Sequence, residues 1–415
     1  MRRWLTPTRM RYAWIAGAAL WGGWLASILL GARGLDLAGQ VIGTDYLQFY
    51  AAGWMVRHGQ AARLYDPEAQ LAAERAIIGP HLPAYHAFLN PPFFALPLVP
   101  LSILPYPFSF ALWSALQGLL LALSLRTLQP EGPFGRTVRW ALTFLPVFAS
   151  VSFGQNGLLS LAILTGVWWF WQRDRALAAG GLAGLLLYKP HLLLGLILLW
   201  LMEGPRGRWA LLGLLLAGAG LTVTSLTLLP DATRAYLGFA GTIYPDLPAW
   251  KAFPLWHLHS LRGFWRLLLP SWPRLADALS ALCALAGGIL VLRFWRCQRE
   301  KAVRFAMAVA LTLWLTPHAM VYDWAVLVLP AVMLWEAYPT ARGSLREIYA
   351  GIWIAMFFSA PLVWLTRTAL GVALMPTLPA LAWSGWRIMR MDVSTPSQQA
   401  STAAGYNGNR KGLEG

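Results

Sequence analysis

Long apolar runs constrain the fold of this chain more than any other feature. Six of them have about the 20 residues that a helix needs to cross the hydrocarbon core of a bilayer. They are Tyr12–Gly31, Pro107–Leu128, Arg208–Leu229, Ala276–Trp295, Glu347–Thr366 and Thr368–Trp386. Of the 415 residues, 58% are hydrophobic and only 12% are charged, too few to coat a soluble fold of this size. The sequence therefore predicts an all-α, polytopic membrane protein.

Shorter apolar runs lie between the long ones, and polar or Gly/Pro breaks separate them. They are Trp140–Phe153, Gly157–Trp171, Ala176–Tyr188, His191–Met202, Ala302–Thr316 and Trp324–Trp335. Irregular backbone at membrane depth is tolerated only where protein or a water-filled cavity surrounds it. We therefore expect a bundle of about twelve transmembrane helices, in which the short ones end around a water-filled cavity.

Basic residues indicate the orientation of this bundle. When the runs are alternated across the bilayer, every short connection rich in arginine falls on one face, and the long segments 32–90 and 230–274 fall on the other. Basic residues near the ends of spans mark the cytoplasmic side. The pattern predicts cytoplasmic termini and two long outer loops. It also accounts for the net charge of +16, which therefore does not indicate nucleic-acid binding.

The rest of the organisation follows from this alternation. Residues 1–391 are predicted to form a single transmembrane domain. Within its first outer loop, the segment Gln48–Gly79 predicts two amphipathic helices that lie on the outer leaflet. Prolines interrupt Phe93–Leu104 too often for a straight span, so a re-entrant or interfacial piece is expected there. Segment 392–415 is rich in small polar residues and predicts a disordered cytoplasmic tail.

Ionisable residues at the outer face are the candidates for chemistry, because charge in a membrane is costly. Asp45 follows the first span and has the neighbours Tyr46, Gln48 and Tyr50. Its carboxylate could serve as a general base or as a cation ligand, and aromatic flanks are typical of sugar-binding sites. Aromatic flanks also suit a membrane interface, where Asp45 would only cap a helix.

Two further breaks carry polar side chains. Gln155 and Asn156 form either a tight turn or a contact to a hydroxyl-rich ligand. Lys189, closely followed by His191, needs a counter-charge or a water-filled site, unless its side chain extends to the membrane interface.

The remaining outer candidates come from two more segments. The break between two short runs carries His318, Tyr322 and Asp323, and His318 either caps a helix or faces the outer cavity with Asp323. The second long loop adds Arg262. Two histidines of that loop stand at i and i+2, so they would point apart on a helix and predict no metal site.

The outer face therefore combines one carboxylate, Asp45, with the cations Lys189 and Arg262 and with His318. A base beside a cationic phosphate clamp is what sugar transfer from a phosphorylated lipid requires. The sequence has no Gly-rich phosphate loop, nucleophile elbow or HExxH motif. We expect neither a metal nor a cofactor.

An ordered set of short motifs carries a family resemblance. The motifs are Asp45-Tyr46-Leu47-Gln48-Phe49-Tyr50, Leu64-Tyr65-Asp66, Asn90-Pro91-Pro92-Phe93 with Pro100-Leu101, Trp113, Gly154-Gln155-Asn156, Lys189-Pro190, and Thr316-Pro317-His318 with Tyr322-Asp323. Across the region from Asp45 to Pro330, they resemble the family 87 glycosyltransferases of the GT-C class. The best-known members are polyprenyl-phosphate-mannose-dependent α-1,2-mannosyltransferases. Asn90 is a departure, since members often have tyrosine there.

The resemblance implies a GT-C-like bundle and an inverting transfer on the outer face of a bacterial inner membrane. A polyprenyl-phosphate sugar, carrying mannose in those members, would be the donor, and a membrane lipid or a glycan would be the acceptor. Asp45 matches the catalytic base, and His318 matches a histidine near the active site. Together with the analysis above, the substrate-binding candidates are Tyr46, Gln48, Tyr50, Gln155, Asn156, Lys189, His191, Arg262, Tyr322 and Asp323.

A lipid or glycan transporter, or a flippase, is the alternative function. In that case Asp45 and Lys189 would form a coupling pair instead of a base and a phosphate ligand. Internal repeats are typical of transporters, and the sequence shows none.

Overall fold

The computed structural model describes residues 6–32, 34–246 and 254–391. Within these ranges the chain is all-helical, and extended pairing is limited to isolated bridges. The α-helices are α1 (Pro7–Leu30), α2 (Tyr46–Arg57), α3 (Pro67–Ile78), α4 (Tyr106–Leu128), α5 (Phe134–Thr143), α6 (Leu145–Ser152), α7 (Gly157–Trp171), α8 (Ala176–Ala183), α9 (Leu194–Met202), α10 (Gly204–Leu228), α11 (Pro230–Asp246), α12 (Leu261–Leu268), α13 (Pro273–Cys297), α14 (Lys301–Leu315), α15 (Val328–Ala337), α16 (Arg342–Phe357), α17 (Ser359–Leu370) and α18 (Thr377–Met389). The predicted disordered tail, 392–415, lies outside the described residues.

Four of the described helices, α1, α4, α10 and α13, are long and apolar enough to cross a membrane. Two bent pairs, α6 with α7 and α16 with α17, raise the number to six. Such helices confirm the prediction of a helical membrane protein. The larger number of about twelve spans stays a prediction, since it requires shorter helices such as α9 and α14 to cross as well.

The run Trp140–Phe153, which we expected to be one span, is divided into two helices. α5 ends at Thr143, Phe144 is extended, and α6 begins at Leu145. Pro146 lies in the first turn of α6, where its missing N–H costs nothing. Deeper in a continuous helix the same proline would remove a hydrogen bond, so a new helix starts here.

Segment 32–90, the predicted first outer loop, contains two helices, α2 and α3, where two amphipathic helices were expected. α2 is largely buried in the protein, so it does not lie on the membrane surface. On α3, the buried side chains of Gln70 and Glu74 accept hydrogen bonds from the backbone N–H groups of Phe88 and His86, at 2.9 and 3.1 Å. The segment Phe93–Leu104 forms short 3₁₀ turns instead of a span.

Close helix packing positions the break that carries Lys189. α8 and α10 meet at Gly180, where a Cβ atom would stand 1.8 Å from the backbone oxygen of Ala210. Small residues allow membrane helices to approach in this way. After α8 the chain continues as 3₁₀ turns on both sides of Lys189, before α9 begins. The lysine therefore extends from irregular backbone between two packed apolar segments.

Candidate active site

Asp45 immediately precedes α2, but its side chain makes no capping hydrogen bond to that helix. Instead, Oδ2 of Asp45 accepts a hydrogen bond from Nε2 of Gln155 at 3.1 Å. The helix-capping alternative for Asp45 is therefore wrong. The partly buried carboxylate is held by a residue 110 positions away in the sequence.

The turn that carries Gln155 lies directly against Asp45. It joins α6 to α7, whose axes differ by 118°, and Gly154 has a φ of +66°. A Cβ atom at Gly154 would stand 2.4 Å from Cβ of Tyr46, so only glycine fits. The N–H of Tyr46 donates to the backbone oxygen of Phe153 at 3.0 Å. These contacts fix the two segments to each other.

Two side chains of α4 hold the same turn from the other side. Nε1 of Trp113 donates to the backbone oxygen of Gly154 at 2.8 Å, and Nε2 of Gln117 donates to that of Gln155. Both side chains are buried. The sequence analysis missed Gln117, although a glutamine four residues after Trp113 within an apolar span was a usable signal.

If Asp45 acts as a catalytic base, Gln117→Leu should lower the rate of the reaction. One lost hydrogen bond is worth about 1 kcal/mol, or about fivefold in rate. The pH at which the rate falls should also rise, because a looser Gln155 stabilises the charged carboxylate less. Ser124→Ala is the matched control, since Ser124 is also buried on α4 but donates within its own helix. An unchanged pH profile in Gln117→Leu would mean that Gln117 does not position the turn.

Lys189 and Asp323 form a buried ion pair. Nζ of Lys189 lies 2.6 Å from Oδ1 of Asp323, and the two side chains are 11% and 1% exposed. The N–H of Met320 donates to the other carboxylate oxygen at 2.9 Å. Nζ also lies 4.6 Å from the ring centre of Tyr322. Among the alternatives for Lys189, the counter-charge is the one observed.

His191 and His318 lie beside this pair, with their ring centres 6.2 Å apart. Burial lowers the pKa of His318, which lies between apolar helices, to about 4. The charges of Lys189 and Arg262 contribute to this lowering, and Asp323 opposes it. His318 is therefore neutral near pH 7. Nε of Arg262 lies 3.2 Å from Oδ1 of Asp277, a partner that the sequence analysis did not predict.

The aromatic side chains that follow Asp45 are engaged inside the protein. The hydroxyl groups of Tyr46 and Ser109 are 2.6 Å apart, and the hydroxyl of Tyr50 donates to the backbone oxygen of Leu104 at 2.8 Å. Both tyrosines are buried, while Gln48 on the same helix is partly exposed. These contacts give the tyrosines a packing role, and their contact with a sugar stays a prediction.

Asn156 is fully buried at the start of α7, and neither polar atom of its side chain has a hydrogen-bond partner within the described ranges. An unpaired buried amide costs free energy, and its donors and acceptor are those that a bound ligand would use. Among the described residues, no three His, Cys, Asp or Glu side chains are grouped so that they could hold a metal ion.

The charges of the Lys189–Asp323 ion pair influence the pKa of Asp45. Burial raises the pKa of Asp45 to about 6. The hydrogen bond from Gln155 and the charge of Lys189 lower it, whereas the charge of Asp323 raises it. Asp45 is therefore mostly ionised at neutral pH, yet basic enough to accept a proton.

Comparison with known proteins decides the family. The sequence model described as glycosyltransferase family 87 matches residues 88–330, which is more than half of the chain. The chain belongs to glycosyltransferase family 87. No curated protein and no solved structure matches it. This family 87 member is thus a glycosyltransferase with several apolar helices of membrane-spanning length.

The matched segment divides the candidate residues of this family 87 chain. Gln155, Lys189, His318 and Asp323 lie within it, whereas Asp45 precedes it. The contact between Asp45 and Gln155 therefore connects the segment before the match to the matched part of the chain.

Proposed function

We propose that this protein transfers a sugar from a polyprenyl-phosphate donor to a hydroxyl of a lipid or glycan acceptor. The sugar that we propose is mannose. The anomeric configuration inverts, and Asp45 is the general base. In this displacement the acceptor oxygen bonds to the anomeric carbon as the bond to the lipid phosphate breaks. The acceptor proton passes to Asp45, and the lipid phosphate leaves as an anion.

The position of Asp45 is the observation that carries the proposal. Its carboxylate does not cap α2, is held by Gln155 and has a raised pKa, which is what a general base requires. The residues nearby suit a leaving phosphate. Lys189 provides positive charge, His318 is neutral, and Arg262 lies close enough to His318 to influence its pKa.

Lys189 and Arg262 each already have a carboxylate partner, so we do not propose an unpaired cationic clamp. We propose instead that a donor phosphate approaches the ion pair of Lys189 and Asp323 and adds to the hydrogen bonds of the lysine. An ammonium group has three donors, which leaves two for such a ligand. Tyr322 lies near the lysine, and His191 is close enough to the pair for both charges to influence its pKa. His191, Asn156 and Tyr322 are proposed substrate contacts.

The orientation belongs to the proposal as well. We propose that residues 1–391 form one GT-C-like domain of about twelve spans, with short apolar helices crossing together with the long ones. Segments 32–90 and 230–274 then lie on the outer face of a bacterial inner membrane, where the active site would meet lipid-linked sugars.

Radiolabelled donors test the activity directly. Purified protein in nanodiscs is incubated with polyprenyl-phosphate mannose or glucose and with an extract of membrane lipids. We expect label to appear in a lipid or glycan product with one of the two donors. Transfer from a nucleotide sugar alone, or transport of label across proteoliposomes without transfer, would contradict the proposal.

The pH dependence of transfer should report Asp45. A general base must be deprotonated, so we expect a constant rate above about pH 6. Below that pH the rate should fall by about tenfold for each unit, as the carboxylate becomes protonated. Gln155→Leu should move this fall to higher pH, because it removes the hydrogen bond that lowers the pKa. A rate that is flat from pH 7 to pH 4 would argue against a carboxylate base with this pKa.

Native Cys297 offers a test of the orientation. It is exposed at the end of α13, among the arginines that we place in the cytoplasm. In a Cys283→Ser background, a membrane-impermeant maleimide should label Cys297 only after permeabilisation. A Gln40→Cys variant that also carries Cys297→Ser should react in intact spheroplasts, since Gln40 is exposed in the first long loop. The opposite labelling pattern would reverse the topology.

A further inference from the structure

A cavity of about 780 Å³ lies between α1, α5, α13, α14, α15, α16 and α18, and we call it the bundle groove. None of the residues proposed for sugar transfer lines it. Both of its ends and its walls lie within the described residues, so its lining can be followed along its length.

The walls of the bundle groove are apolar. Leu311 and Trp314 of α14 are typical of the lining. The polar side chains among them, such as Thr143, Tyr349 and Ser384, donate to backbone oxygens at 2.9, 2.6 and 2.7 Å. These hydroxyl donors are already used within the protein. The walls therefore suit hydrocarbon chains and not a polar ligand.

The two ends of the groove differ in charge. Arg9, Arg136 and Arg346 line one end, each near the first residue of its helix. At the opposite end α5 and α16 finish, and there the lining includes Phe144 and Phe358. The groove is thus apolar along its length and basic at one mouth only.

Two of these arginines, Arg136 and Arg346, are the candidates for binding an anion. Within the part of the chain that the structure describes, no carboxylate lies within ion-pair distance of Arg136 or Arg346. The nearby carboxylate of Glu336 accepts a hydrogen bond from Gln129 and lies 3.9 Å from Arg342. The charge at the mouth is therefore mainly positive.

We propose that the bundle groove binds one anionic phospholipid of the membrane. Its acyl chains lie along the apolar walls, and its phosphate contacts Arg136 and Arg346. A headgroup at the other end would meet no charged lining residue, so the charge distribution also determines the direction of the lipid. The site is separate from sugar transfer, and its binding does not depend on the proposed function.

Native mass spectrometry of the full chain tests the lipid site. The protein is purified in a mild detergent and titrated with phosphatidylglycerol or phosphatidylcholine of identical acyl chains. We expect phosphatidylglycerol to bind more tightly. In the double variant Arg136→Gln/Arg346→Gln this preference should fall by roughly 25-fold, since an arginine near an anionic lipid contributes roughly fivefold. Arg296→Gln/Arg299→Gln removes the same charge from exposed positions on the same side and should keep the preference.

Two further variants separate lipid binding from misfolding. Arg136→Lys/Arg346→Lys keeps the charge and should keep the preference, while Ala310→Phe fills the groove and should abolish binding of both lipids. Leu215→Phe, at an exposed position of α10, is the control for added bulk. Equal binding of the two lipids by the wild type would overturn the proposal, as would retention of both lipids by Ala310→Phe. Displacement of phosphatidylglycerol from the groove by polyprenyl phosphate would assign the groove to the donor chain instead.

Discussion

Asp45→Asn should reduce sugar transfer by at least about 10²-fold, the usual contribution of a general base. The change is nearly isosteric, and asparagine retains a side-chain oxygen that can accept the hydrogen bond from Gln155. Packing and donor affinity should therefore change little, while the ability to take a proton from the acceptor is lost. Initial rates and donor affinity, measured in the same nanodisc preparation, separate these two effects.

Asp66→Asn is the matched control for this prediction. Asp66 lies in the same outer loop and caps α3 by accepting from the N–H groups of Glu68 and Ala69. Asparagine caps helices about as well as aspartate, so this variant should react at the wild-type rate. A wild-type rate for Asp45→Asn as well would end the assignment of the base. Equal losses in both variants would indicate damage to the first outer loop instead of lost catalysis.

Lys189→Met should destabilise the protein strongly, because it leaves the buried carboxylate of Asp323 without its partner. Breaking a buried ion pair in this way costs about 3–5 kcal/mol. The double variant Lys189→Met/Asp323→Asn removes both charges and should recover most of that stability. Denaturant titrations of the two variants in the same detergent measure the difference.

The double variant also tests the proposed contact with the donor. If Lys189 contacts the lipid phosphate, the folded double variant should bind the donor weakly and the acceptor almost normally. Arg234→Met, which breaks the exposed pair with Asp231, is the stability control and should change little. A stable Lys189→Met single variant would show that the pair is not desolvated. Normal donor binding by the double variant would remove Lys189 from the phosphate site.

The sequence by itself determined the class of this protein. Apolar runs of membrane length predict helices directly, because hydrocarbon leaves a spanning segment few other ways to satisfy its backbone. The motifs around Gln155, Lys189 and His318 led to the family because they are local patterns that can be compared one by one. Asp45 was a candidate by residue type alone, since a charged carboxylate near a membrane is costly and therefore suggests a function.

Only the tertiary structure decided what those side chains touch. Lys189 and Asp323 are 134 positions apart, and the sequence predicts each as a separate candidate contact, whereas the structure pairs them at 2.6 Å. Gln117 stands out in the sequence as a glutamine within an apolar span, but no residue type reveals that its partner is a backbone oxygen of a distant turn. The bundle groove between seven helices could not be predicted from the sequence either. Periodicity and composition describe one segment at a time, whereas partners and cavities depend on how segments pack, and that packing is set by interactions distant in sequence.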